Sequence, residues 1–177
     1  MKQTMLLAVA TAMLVCGGAW AMDVASTNMA NGASLALDQV KNGCGGKNIS
    51  PALSWSGAPP ATQSFAVTAF DPDAHGGWWH WTVVDIPAAV QSLPTGAGSG
   101  GTGLPQDAVQ GVNDFGDASY GGACPPPGSG PHHYEFTVWA LSAAGVPFAG
   151  NAKSEDIAVY LKAHAIAHAQ LVAIYQR

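Results

Sequence analysis

The sequence predicts a mainly β domain with long glycine- and proline-rich loops and a helix at its C-terminal end. Twenty-two glycines and twelve prolines punctuate the chain too often for a helical bundle. Between these breaks lie short runs of β-branched and aromatic residues. Only the last stretch spaces its apolar residues as a helix does.

The first element is a leader. Lys2 precedes an apolar run from Met5 to Val15, and Ala19-Trp20-Ala21 follows, the pattern of a secretory signal peptide cleaved after Ala21. The run is too short, and too soon broken by Gly17-Gly18, for a membrane span. Lipid attachment at Cys16 is disfavoured, because Met13-Leu14-Val15 offers no small residue before it. The expected mature protein is therefore a single domain, residues 22–177, periplasmic or secreted, with no stable membrane insertion.

Ser64 to Phe70 reads as a buried strand, Trp81 to Ile86 as a second with partial alternation, and Tyr134 to Leu141 as a third. Gly57–Pro60, Gly96–Gly103 and Gly121–Pro131 are the connecting loops. A helix is expected from Ser154 to the end, capped by Ser154, with Glu155 and Asp156 at its positive pole and Ile157, Leu161, Leu171 and Tyr175 on one stripe. His164 and His168 would share that stripe, as packed edge residues rather than metal ligands.

Charge narrows the partners. The chain carries a net −5 with histidines neutral, Arg177 is its one arginine, and loss of Lys2 with the leader makes the protein more acidic. Nucleic acid and anionic membrane surfaces are therefore poor candidates for extended electrostatic partners. An oxidising compartment makes pairing of Cys44 with Cys124 the default. In the chain-entropy model a loop of that length contributes about 4 to 5 kcal/mol. Neither cysteine has metal-finger or CxxC spacing.

In a chain only 10% charged, Asp71-Pro72-Asp73, Trp78-Trp79-His80-Trp81 and Pro131-His132-His133-Tyr134 stand out as a polar pocket built on an apolar scaffold. Asp71 and Asp73 are two apart and can project to one side. His80 opens the next strand. His132 and Tyr134 share strand parity, and His133 points away. The blander reading makes Asp71-Pro72-Asp73 a turn signal, the tryptophans packing residues, and His75 and His133 solvated surface.

These blocks have a familiar order. Asn48-Ile49-Ser50-Pro51-x-Leu53-x-Trp55, the aspartate motif, Trp79-His80-Trp81, Gly116-x-x-x-Tyr120-Gly121-Gly122, Pro125-Pro126 and Pro131-His132-x-Tyr134 resemble the phosphatidylethanolamine-binding protein family, in particular its exported bacterial Raf-kinase-inhibitor-like members. The ordered match runs from Cys44 to Leu141, with the terminal helix alignable beyond it. The resemblance implies a Greek-key β-sandwich with a small anion pocket at one end that takes phosphate-like groups, including the phosphatidylethanolamine head group. By motif, Asp71, Asp73, His80, His132 and Tyr134 line it. Two departures are visible. His75-Gly76-Gly77 shortens the rim, and His132-His133 replaces the usual His-Arg pair and removes a permanent positive charge.

A binding role for a small phosphorylated or head-group anion follows as the leading expectation, with no cofactor. Protonated His80 and His132, the Tyr134 hydroxyl and the amides of Gly121 and Gly122 would donate to it. Asp71 would orient an imidazole, and Asp73 would meet an ammonium group. A protease-inhibitory or other protein-interaction module is one alternative, with the Gly121–Pro131 loop docking a protein partner. A metal-assisted hydrolase using Asp71, Asp73, His80 and His132 is another. The sequence contains no HExxH, GxSxG or P-loop motif, and no nucleophile paired with a base is evident in it.

Overall fold

The computed structural model describes residues 21–100 and 102–177. The expected leader falls outside these residues except for Ala21. Eight strands, one α-helix and two 3-10 turns follow in order: β1 (Asp23–Ala25), the turns Leu37–Gln39 and Asn42–Cys44, β2 (Leu53–Ser56), β3 (Ser64–Asp71), β4 (Trp78–Pro87), β5 (Ser92–Leu93), β6 (Val109–Gln110), β7 (His132–Leu141), α1 (Ser154–His164) and β8 (Ala165–Tyr175). The large antiparallel sheet has the order β6-β4-β3-β7-β8, and the small one β1-β2-β5. Within the large sheet β7 returns to lie beside β3, giving the Greek-key order β7-β3-β4-β6.

Strand β3 explains the layering. Its residues Ser64 to Ala69 are all buried, as expected of a run covered on both faces. Phe65, Val67 and Ala69 join Leu53, Trp55, Trp81, Val83, Phe136 and Val138 in the core between the sheets. Ala66, on the opposite face, packs with Val84, Trp139, Leu141, Ile157 and Leu161 under α1. The small sheet, the large sheet and the helix are thus successive layers.

The C-terminal helix is shorter than the sequence suggests. It ends at His164, and β8 pairs with β7 along its whole length, from His132↔Tyr175 to Leu141↔Ala165. A spacing of four fits one helical turn and also two strand repeats, so Leu171 and Tyr175 satisfy both patterns. The open edge of β7 decides between them, overriding the helical preference of the alanines. Ala169, Leu171 and Ala173 face the core at a period of two. His164 and His168 do not share a helical stripe. His164 stacks on Tyr160 at 4.0 Å, and His168 lies against Trp139 at 5.2 Å. Ser154 is the first helical residue rather than the cap; Lys153 occupies the cap position, and no side chain caps the helix.

Cys44 and Cys124 form a disulfide, Cα to Cα 5.6 Å. It joins the turn Asn42–Cys44 to the loop that runs into β7. Among the described residues no helix is long and apolar enough to cross a membrane.

Candidate functional site

The aspartate, histidine and tyrosine motifs converge because β3, β4 and β7 are adjacent. Asp71 ends β3 opposite Trp78, and Phe70 pairs with Glu135 of β7, which sets Asp71 beside Tyr134. His80 reaches the same place through an irregularity. Ala69 pairs with Trp81 and Phe70 with Trp79, leaving His80 unopposed in a bulge, a device that re-aims a side chain. Gly121 holds the bulge: its N–H donates to the His80 carbonyl at 2.8 Å, and its carbonyl accepts from His80 Nδ1 at 2.7 Å.

The result is a pocket of about 510 Å³. Asp71, His80, His132 and Tyr134 supply its polar groups, with Asp73 and His75 also lining it, while Trp78, Phe115, Pro125 and Pro126 form apolar wall. Five sequence-predicted residues therefore meet here: Asp71, Asp73, His80, His132 and Tyr134.

Asp71 is saturated. Its Oδ1 accepts the amides of Asp73 at 2.9 Å and Ala74 at 3.1 Å, and its Oδ2 accepts His132 Nδ1–H at 2.7 Å. Asp71 thus closes the turn with one carboxylate oxygen and holds the His132 imidazole with the other. The pair is buried, with 4% and 7% of the Asp71 and His132 side chains exposed. The bond fixes which imidazole nitrogen carries hydrogen toward the carboxylate and leaves Nε2 facing Ser129 Oγ at 3.0 Å.

Asp73 is at the rim. It does not project beside Asp71; the turn made at Asp71 Oδ1 carries it outward to His133, whose N–H and Nδ1 both approach Oδ2, at 2.7 and 2.8 Å. The His133 side-chain bond, then its amide, holds the Asp73 carboxyl below the ordinary value. His133 is exposed, as expected, but is paired rather than merely solvated.

His80 is buried, and desolvation pushes its imidazole below the usual histidine value. With Nδ1–H given to the Gly121 carbonyl, the neutral ring has an acceptor at Nε2. This corrects the expectation of two cationic donors, because the apolar surroundings that place His80 also disfavour its charge. Its ring meets Phe115 and Tyr134 edge to face at 5.5 and 5.1 Å.

Tyr134 is 2% exposed, and its hydroxyl has no hydrogen-bond partner. Burial, then the nearby Asp71 carboxylate, pushes the phenol well above its ordinary value, so the hydroxyl keeps its proton. Trp78 Nε1 is a second buried donor without a partner. A packing role described Trp78 incompletely; its place opposite Asp71, at the strand end, was the available signal.

The Gly121 and Gly122 amides, expected as ligand donors, already have protein partners. Gly121 N–H is bonded to His80, and Gly122 N–H donates to Asn48 Oδ1 at 2.7 Å. These glycines are there for space. A Cβ at Gly121 would collide with the Phe115 ring, and one at Gly122 with the backbone from Gln39 to Lys41. The Asn-Ile-Ser-Pro block is likewise a loop anchor: Asn48 Nδ2 donates to the Tyr120 carbonyl, and Ser50 Oγ accepts the Gly98 amide. Among the described residues no group of three or more His, Cys, Asp or Glu is arranged to hold a metal ion.

The family model for "phosphatidylethanolamine-binding protein" matches residues 25–176. The chain is 50% identical over 161 residues to UPF0098 protein YbcL of Escherichia coli K12, covering 88% of each. It is 40% identical over 158 residues to YbhB of the same strain, covering 87% of this chain and 99% of YbhB. The crystal structure of E. coli YbcL, described as a new member of the mammalian PEBP family, superposes with a TM-score of 0.85 at 49% identity, over 88% of this chain and 98% of that one. CT736 of Chlamydia trachomatis, a putative PEBP homologue, does so with a TM-score of 0.75 at 28% identity, over 90% of this chain and 99% of its own. Matched along nearly all its described length by family model, relatives and solved folds alike, the chain belongs to the phosphatidylethanolamine-binding protein family.

Proposed function

We propose that this is an exported protein that binds a small phosphate-bearing ligand, of the phospholipid head-group kind, in the pocket at the ends of β3, β4 and β7. The observation that carries the reading is the Tyr134 hydroxyl, a buried donor with no protein partner in a pocket that also contains His80 and His132. A buried polar group left unpaired is costly, and a ligand oxygen would remove that cost. The neutral His80 Nε2 complements a protonated phosphate oxygen. Asp73 keeps Oδ1 free of the bonds it makes to His133, which leaves an acceptor at the rim for an ammonium group. Trp78, Phe115, Pro125 and Pro126 suit the carbon portion of such a ligand. Export is supported by the leader pattern and by the disulfide.

Calorimetric titration with phosphoethanolamine and inorganic phosphate tests this. Tyr134→Phe keeps the ring and removes the donor, and we expect it to weaken binding by about 1.5–3 kcal/mol, the net worth of a hydrogen bond to a charged group. Unchanged affinity would move the anion away from Tyr134, and absence of binding by the native protein would reject the reading.

A further inference from the structure

The bond pattern around His132 contains more than a binding site needs. Asp71 Oδ2 holds His132 Nδ1 at 2.7 Å, and His132 Nε2 faces Ser129 Oγ at 3.0 Å. Carboxylate, imidazole and hydroxyl are therefore in series, with the imidazole oriented by a buried acid and its far nitrogen on an alcohol. Ser129 is exposed at the pocket wall, on a sharp turn between Gly128 (φ 79°) and Gly130 (φ 90°). From this geometry we infer that the pocket is also an acyl-transfer site, with Ser129 as nucleophile, His132 as general base and Asp71 as its positioning residue. The substrate class is a small carboxylic ester with an apolar portion.

The hydroxyl has one proton and two acceptors in reach, His132 Nε2 and the Pro126 carbonyl at 2.9 Å. When it donates to His132, the ring is neutral and Ser129 is activated. When it donates to Pro126, Oγ accepts from Nε2–H, and the ring is an imidazolium against the Asp71 carboxylate. The site thus accommodates both protonation states that a general base passes through.

In the first step Ser129 Oγ bonds to the ester carbonyl carbon as its proton passes to His132 Nε2. The intermediate collapses by breaking the bond to the leaving alkoxide, which takes that proton and departs as an alcohol. Water then attacks the acyl-serine, giving one proton to His132, and collapse releases the carboxylic acid while Nε2 returns the proton to Ser129 Oγ. No oxidant or metal enters the balance. The Tyr134 hydroxyl and Trp78 Nε1, neither with a protein partner, are the donors this pocket offers the negative oxygen, and Phe115, Pro125 and Pro126 supply the apolar wall. The Ser129 arrangement escapes sequence inspection because the turn has no GxSxG signature and its acid lies far upstream.

The test is hydrolysis of p-nitrophenyl butyrate by the disulfide-intact protein, with a fluorophosphonate probe mapped by peptide mass. We expect release above the buffer rate, an adduct on Ser129, and a fall of at least about a hundredfold in Ser129→Ala, as removal of a nucleophile produces. Ser129→Cys should retain acylation and accumulate the acyl-thioester in the intact mass, which checks the role should the alanine variant fold poorly. Native hydrolysis no faster than buffer, equal rates in native protein and a folded Ser129→Ala, or labelling elsewhere would overturn the inference. Phosphate titration of the same samples separates the two readings: binding without turnover would sink the acyl-transfer site alone, and turnover without phosphate binding would sink the head-group reading alone.

Discussion

At the scale of single residues, His80 shows how placement and protonation are set by one cause. The bulge turns its ring into an apolar corner between Phe115 and Tyr134, and burial there lowers its affinity for a proton. In the unfolded chain the ring titrates near the ordinary 6.5, so below that pH the unfolded state takes up a proton that the folded state resists. The contribution of neutral His80 to stability is complete above about 6.5 and is lost as pH falls toward the depressed folded value, at about 1.4 kcal/mol per pH unit inside that window. Thermal melts of the native protein and His80→Asn from pH 7.5 to 5 should diverge in slope below 6.5. Parallel curves would mean that the folded ring accepts protons freely. Asp73 carries the opposite lesson: its pKa is lowered by an exposed partner, and solvent screens most of what that bond contributes. The gathering of Asp71, His80, His132 and Tyr134 was legible from strand parity and motif, whereas the outward turn of Asp73 and the places of Trp78, Phe115 and Ser129 were not. Their roles were not, because they follow from who else bonds to each atom. Asp71 spends both oxygens on its own turn and His132, and Gly121 offers His80 a carbonyl rather than offering a ligand an amide.

At the scale of elements, β3 and the middle of β7 could be read directly, since their apolar runs are too short and too β-branched for helices and are bounded by breaks. The C-terminal segment could not, because Leu171 and Tyr175 are four apart, a spacing both periods accept, and the stretch before them is rich in alanine. The edge of β7 is a tertiary partner, and only its ladder distinguishes the two periods. This assignment has a consequence for mutation. Leu171 is buried on the core side of β8, whereas Ile166 is 42% exposed. Leu171→Ala should cost about 2–5 kcal/mol in denaturant unfolding, and Ile166→Lys should stay within about 0.5 kcal/mol of the native protein. Equal effects would contradict the strand register. The loop before β7 makes a similar demand at Gly122, where the backbone from Gln39 to Lys41 fills the space of a side chain. Gly122→Ala is expected to destabilise by about 1–3 kcal/mol through overpacking, and a neutral result would show that the two loops can separate.

At the scale of the whole molecule, the pocket is a seam between parts that the sheets alone do not hold together. Its polar side is rigid because it sits on β3, β4 and β7. The opposite wall, Cys124 to Pro126, belongs to a loop, and that loop is tied down by the disulfide to Cys44 across a sequence separation of 80, by the Lys41 N–H on the Ala123 carbonyl and the Ala123 N–H on the Gln39 carbonyl, and by Arg177 Nε on the Pro125 carbonyl at 2.9 Å. Closing so long a loop in the unfolded chain is where a cross-link acts most strongly in the entropic account. The Cys44→Ser/Cys124→Ser double variant should therefore lose about 2–5 kcal/mol in equilibrium unfolding while keeping the far-ultraviolet spectrum of the sandwich, whose strands do not depend on the bridge. Ligand affinity should fall along with stability, because the wall carrying Pro125 and Pro126 would have to be ordered on binding. If stability falls and affinity does not, the bridge serves the fold alone, and the remaining loop contacts suffice to hold the wall against the strand ends.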